Sequence, residues 1–206
     1  MPNWLRAVLA ALLFTLAVGA ASAQSYPPAA ASAQSYPPAA FGISELRGGI
    51  LAHSVDQAGG PVSLFGVIDM SRIQDANVEL LFTPPDADFW RLMGNPRPHV
   101  GATVNFGGLE SMVYAGLTWR VPVFDTPVFI EGGFGGAIHN GALTGAVPPA
   151  RDLGCPFAFH EQVSLGYAFT QNLSAMLTLE HASHAGLCGT INRGLTNLGV
   201  RVGWTF

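Results

Sequence analysis

Charge is scarce in this chain. Asp, Glu, Lys and Arg make up 11% of its 206 residues, 13 acidic against 9 basic, for a formal net charge of −4. There is no basic cluster, and a negative chain without one has no electrostatic footprint for a phosphate backbone, which argues against nucleic-acid binding. Long apolar runs are missing after residue 23. A membrane helix needs about 20 consecutive apolar residues, so a helical membrane protein is excluded. Cysteine is limited to Cys155 and Cys188. A structural zinc site wants four ligands, and no histidine stands at ligand spacing beside either cysteine, which makes them poor zinc candidates. The run Gly132 to Gly136 has no helix pattern after it and is therefore no phosphate cradle. None of these residues implies a metal or organic cofactor.

What is present begins with an export signal. Arg6 supplies a charged end, Ala7 to Val18 an apolar core, and Ala21-Ser22-Ala23 a small-residue cleavage site, so residues 1–23 read as a signal peptide. No cysteine follows the cleavage site, which argues against a lipid anchor. Ala21 to Ala30 then recurs unchanged as Ala31 to Ala40. A Pro, Ala and Ser repeat this short cannot bury a core, so 24–40 reads as a disordered leader and 41–206 as the single folded domain.

Eight strand-like segments follow: Glu45 to Val55, Ala76 to Phe82, His99 to Phe106, Ser111 to Val123, Val128 to His139, Phe157 to Phe169, Leu173 to Ser183 and Thr196 to Phe206. An even number, with tight links at Asp125-Thr126 and Thr170-Gln171-Asn172, predicts an all-β, eight-stranded antiparallel up-and-down transmembrane β-barrel. A soluble sandwich fits the composition too. Parity separates the two, because Glu79, Arg120, Glu131, Glu180 and Arg201 all fall opposite the apolar face, with Tyr114 and Gln162. In a small barrel that face is a closed interior where charges must pair, and Glu180 and Arg201 lie on adjacent strands.

The last two segments carry the chemistry. Leu173, Ala175, Leu177 and Leu179 form one face of a strand, and the same parity brings His181 and Ser183 onto it. An imidazole and a hydroxyl two positions apart, with Cα atoms roughly 6.5 to 7 Å apart, make a base and a nucleophile. By itself His-x-Ser is a common pair, and a polar girdle at a membrane interface is the bland reading.

Glu180-His181-Ala182-Ser183-His184-Ala185-Gly186, followed by Asn192-Arg193-Gly194 and an aromatic-ended last strand, resembles the PagL-type lipid A 3-O-deacylases. Those are eight-stranded outer-membrane barrels that hydrolyse an ester-linked acyl chain of lipopolysaccharide. His184 stands where the family has an asparagine, and Thr196 stands at the position of the family's acid. The resemblance implies a serine esterase with Ser183 as nucleophile, His181 as base, and an oxyanion site around His184, Ala185 and Gly186. Its substrate would be the lipid A of lipopolysaccharide, from which it would remove a 3-hydroxyacyl chain; its place would be the outer membrane of a Gram-negative cell. A non-catalytic small barrel, an adhesin or envelope-stability protein, is the alternative, and a homodimer is left open. A pore is poorly supported, because eight strands leave an interior filled by side chains.

With Phe206 at the periplasmic rim, Asn140 to Pro156 and Ala185 to Arg193 become external loops, and the site faces the external leaflet. Cys155 and Cys188 fall in those two loops and are expected to form a disulfide, permitted by secretion, with free thiols as the alternative. The acid can also be counted from register. If Thr170 to Asn172 form the turn, Phe169 lies opposite Leu173 and Glu161 opposite His181, on the same outward face. Glu161 is therefore the candidate acid, beside Thr196 at the family's position.

Overall fold

The computed structural model describes residues 42–56 and 72–206; the expected signal peptide and leader lie outside them. Eight strands follow in order: β1 Ile43–Ala52, β2 Ile73–Phe82, β3 Arg97–Asn105, β4 Met112–Pro122, β5 Val128–His139, β6 Phe157–Ala168, β7 Leu173–Ser183 and β8 Leu195–Thr205. Each pairs antiparallel with its sequence neighbours, and β1 pairs with β8 to close the barrel. One short helix, α1 Asp88–Leu92, interrupts the β2–β3 connection. It was not expected from the sequence, where a five-residue helix with no buried face leaves no periodic signal.

Strict alternation along the strands sorts the residues to two sides. Outside, Val113, Ile130, Val163, Leu165, Val200 and Val202 are exposed. Inside, Glu79, Glu180 and Arg201 have no accessible surface. An apolar exterior around a polar interior is the arrangement of a barrel solvated by hydrocarbon, in which closing the sheet lets the strands satisfy one another's backbone groups. Five of the strands, β4 to β8, have 11 or 12 residues, enough to cross a bilayer when tilted.

Four arginines and four glutamates neutralise one another within the barrel. Arg201 pairs with Glu180 at 2.9 Å and also reaches Gln162 Oε1 at 2.6 Å. Gln162 in turn donates to Glu79 at 3.0 Å. Arg47 bridges Glu79, Glu45 and Glu131 at 2.8 to 3.1 Å, while Arg97 and Arg120 close on Glu131 at 2.9 and 2.6 Å. The Glu180 to Arg201 pair is the one expected from strand adjacency. Above this ladder Tyr114 stacks on His160 with ring centroids 4.0 Å apart.

The barrel has a rim of short turns and a rim of loops, and the loops are fastened by a second polar cluster. His53, just past β1, bonds Asp75 through Nδ1 at 2.9 Å and Glu110 through Nε2 at 3.0 Å. Glu110 also accepts the Arg151 amide at 2.5 Å, and Arg151 donates to Ser54 Oγ at 2.9 Å and pairs with Asp56. Three connections, β1–β2, β3–β4 and β5–β6, thus meet at one clasp.

Two expectations follow. Glu180→Leu leaves Arg201 with its nearest counter-charge removed inside a closed interior, and a broken buried pair costs about 3 kcal/mol or more. Urea unfolding in detergent, followed by tryptophan fluorescence, should show that loss, and Glu180→Leu with Arg201→Met should recover most of it. The second concerns pH. Burial opposes charging of His53, but its hydrogen bonds to Asp75 and Glu110 outweigh burial and raise its pKa from an ordinary 6.5 to about 9. The clasp's contribution is therefore complete below pH 6.5 and lost as pH rises through 9. Proteolysis of the loop rim should accelerate across that window, and His53→Asn should flatten the profile.

Candidate active site

The outward face of β7 is apolar until its last, loop-side residues. Leu177 and Leu179 are exposed, and the next two positions on that face are His181 and Ser183, both half-buried. Among the described residues nothing hydrogen-bonds Ser183 Oγ, so its hydroxyl is uncommitted. The residue paired with Ser183 across the β6 register is Phe159. Phe159 stacks with Phe134 at 5.9 Å and meets Phe157 edge-on at 6.3 Å. The hydroxyl therefore stands beside an aromatic wall on the lipid side.

His181 is flanked on both neighbouring strands. Glu161 on β6 is its paired residue, in the register that the three-residue turn dictates, and Thr196 on β8 is its paired residue on the other side. Thr196 Oγ1 makes the hydrogen bond to His181 Nδ1, at 2.8 Å. Glu161, Asp56 and Arg151 lie within electrostatic reach of the ring. The opposite edge of the imidazole rests on Gly194, whose φ is +62°. A Cβ there would stand 2.8 Å from His181 Cε1 and 3.3 Å from Nε2, so only glycine permits both the backbone turn and the ring's position.

Beyond Ser183 the chain turns sharply. Ala185 and Gly186 both have positive φ, 52° and 81°, and Leu187 N–H closes the turn on His184 O at 2.9 Å. A left-handed alanine costs on the order of 1 kcal/mol. The amides of Ala185 and Gly186 have no acceptor among the described residues. His184 is buried, and its ring is committed to the loop: Nε2 bonds Ile191 O at 2.6 Å, while Nδ1 accepts the Cys188 amide at 3.2 Å. The expected disulfide is present, joining Cys155 to Cys188 with Cα atoms 5.8 Å apart. Gly154, beside it, lets the two loops touch, since a Cβ there would overlap Ile191 O. Asp152 O also receives the Arg193 amide at 3.2 Å.

Sequence reasoning brings together His181, Ser183, Glu161 and Thr196, and these four do share one outward patch. It missed what supports them. In the sequence Asn192-Arg193-Gly194 is only a landmark of the resemblance, although the glycine carries the imidazole; the available signal is a Gly just before a strand. Asp56 and Arg151 gave none, because their place depends on how three loops converge.

No curated protein matches this sequence. Among solved structures, the crystal structure of the outer membrane enzyme PagL is similar over 79% of this chain and 100% of its own, at 15% identity and a TM-score of 0.52. A de novo designed transmembrane β-barrel matches over 80% of this chain and 96% of its own, at 8% identity and a TM-score of 0.45. The N-terminal β-barrel domain of Pseudomonas aeruginosa OprF does so over 80% and 98%, at 10% and 0.46. The family model described as lipid A 3-O-deacylase (PagL) matches residues 76–205. That span exceeds half of the chain and includes Glu161, His181, Ser183 and Thr196, so the chain belongs to the lipid A 3-O-deacylase family.

Proposed function

We propose that this barrel is an outer-membrane serine esterase that removes a 3-O-linked hydroxyacyl chain from lipid A, with the loop rim at the external leaflet. The observation that carries the reading is the uncommitted Ser183 hydroxyl on the lipid-facing side, one pleat from an imidazole whose Nδ1 is already held by Thr196. With Nδ1–H donating to Thr196, the unprotonated Nε2 is the base. Ser183 Oγ attacks the ester carbonyl while its proton passes to His181 Nε2. The tetrahedral oxyanion takes the amides of Ala185 and Gly186, since the His184 ring is engaged elsewhere. Collapse breaks the bond to the sugar oxygen, which receives the proton from His181. Water then attacks the acyl-serine with the same base, releasing the fatty acid and restoring Ser183.

The acyl tail has an apolar course along the outer wall, past Leu179 and Leu177 toward a depression of about 410 Å³ lined by Leu165, Tyr167, Ala175 and Val200. Thr196 and Glu161 divide the acid's work in this reading. Thr196 fixes the tautomer and aim of the ring, while the Glu161 carboxylate across the strand pair offsets the charge of the imidazolium. A neutral hydroxyl does the first task and not the second.

Mass spectrometry of lipid A from cells making the protein tests the activity. Loss of one hydroxyacyl mass is expected with the intact chain and not with Ser183→Ala or His181→Asn. Both variants should remain folded barrels, because neither side chain packs inside. An unchanged lipid A profile with the intact protein would favour the non-catalytic barrel. The division of labour has its own readout in purified enzyme. Glu161→Gln should lower kcat by about tenfold to a hundredfold, the worth of a charge interaction at a partly desolvated site, whereas Thr196→Val should cost less. Equal losses would mean that the two residues do not act separately.

A further inference from the structure

The chain contains nine arginines and no lysine; Arg6 lies outside the described residues, and the other eight can be accounted for one by one. Arg47, Arg97, Arg120 and Arg201 belong to the interior ladder. Arg91, in α1, pairs with Asp86 and Asp88. At the loop rim Arg151 is buried against Ser54 and Asp56, and half-buried Arg72 donates to Ser54 O at 2.7 Å. Arg193 is exposed, and among the described residues its guanidinium has no partner. It is also fixed in place at the backbone. Its amide is held by Asp152 O at 3.2 Å, and the next residue is Gly194, on which the His181 ring rests.

An uncommitted cation one residue from the glycine that carries the base is an unusual use of charge in a chain with so little. The remaining charged neighbours of His181 restrict what it can meet. Asp56 from the β1–β2 connection is already paired with Arg151, which also lies near the ring, while Glu161 on β6 is a carboxylate that disfavours an anionic group on its side. Arg193 stands just before β8, the flank of the ring whose paired residue, Thr196, is neutral, and this is the side an anion can approach. A glucosamine that carries both an ester and a phosphate presents the two within about one sugar ring of each other. Arginine is suited to that phosphate through its planar fork of donors.

We infer that Arg193 binds a phosphate of the sugar whose ester lies at Ser183, and that it is a specificity determinant for phosphorylated over neutral glycolipid. The inference rests on the deacylase reading above. It assigns to Arg193 the setting of substrate register, with no part in proton transfer. The interaction is at an exposed rim, so it weakens as salt rises.

The test uses the full-length protein in detergent micelles with two substrates, bisphosphorylated lipid A and the same lipid A with both phosphates removed, and follows release of the hydroxy fatty acid. Arg193→Ala should raise KM on the phosphorylated substrate by about tenfold at low salt, the size of one charge-assisted hydrogen bond, with kcat little changed. The same variant should match the unaltered protein on the dephosphorylated substrate, and Arg193→Lys should recover part of the loss. Equal losses on both substrates would make Arg193 a structural loop residue and overturn the inference, as would no loss on either. Failure of the unaltered protein to deacylate either substrate would instead sink the deacylase reading itself.

Discussion

Closing eight strands into a barrel leaves an interior that side chains fill, and in this chain those side chains are charged. The structure depends on that confinement. Four arginines and four glutamates share this interior, the glutamates with almost no accessible surface, and each charge is compensated by a partner on another strand. Such pairs do not add much stability over a well-packed apolar core, but leaving one member alone is costly. The network therefore acts as a specification. Any closure that put Glu79 opposite something other than Arg47 and Arg201 would strand several charges together.

Confining the polar residues inside frees the outer wall to be apolar, and this is why a candidate catalytic pair can be recognised on it at all. Polar groups facing hydrocarbon are expensive, so the patch formed by His181, Ser183, Glu161 and Thr196 stands out against Leu177, Leu179, Val163 and Val200. It is tolerable because it lies at the loop end of the wall, half-covered by connections. The disulfide and the Asp152 contact pull the β5–β6 loop onto the β7–β8 loop, and the His53 clasp holds the start of the β1–β2 connection beside β8. Val55 N–H bonds Thr196 O at 2.8 Å, which links the clasp to the residue that aims the imidazole.

Most of the barrel was legible because strand parity is a strong signal wherever the two faces differ as completely as they do here. Leu173 to Ser183 and Thr196 to Phe206 could be sorted residue by residue, and the sorted charges already implied a closed interior. Register was legible at the β6–β7 pair because a three-residue turn fixes it. At the site, the face and the pairing of Glu161 with His181 are legible in the sequence, yet the hydrogen-bond partner of Nδ1 is Thr196. Which of two flanking partners a ring turns toward depends on χ angles, and those are set here by Gly194 on the far edge of the imidazole. The clasp was illegible for a different reason. His53, Glu110 and Arg151 are separated by 57 and 41 positions, and each stood singly among loop residues with no period to join them.

The pairing of β7 with β8 shows how interior and site constrain each other. Glu180 and His181 are consecutive and point to opposite faces, as do Asn197 and Thr196 on the neighbouring strand. Inside the barrel Asn197 Nδ2 donates to Glu180 Oε1 at 3.0 Å. Outside, at the adjacent rung, Thr196 Oγ1 meets His181 Nδ1 at 2.8 Å. Both bonds join directly paired residues, Glu180 with Asn197 and His181 with Thr196. A slip of one residue would exchange the faces of an entire strand, sending a carboxylate toward hydrocarbon and an imidazole into the charge ladder. The buried bond thus excludes the registers in which the outer bond cannot form. The aim of the His181 ring is in this way secured from within the barrel, by residues that never touch a lipid.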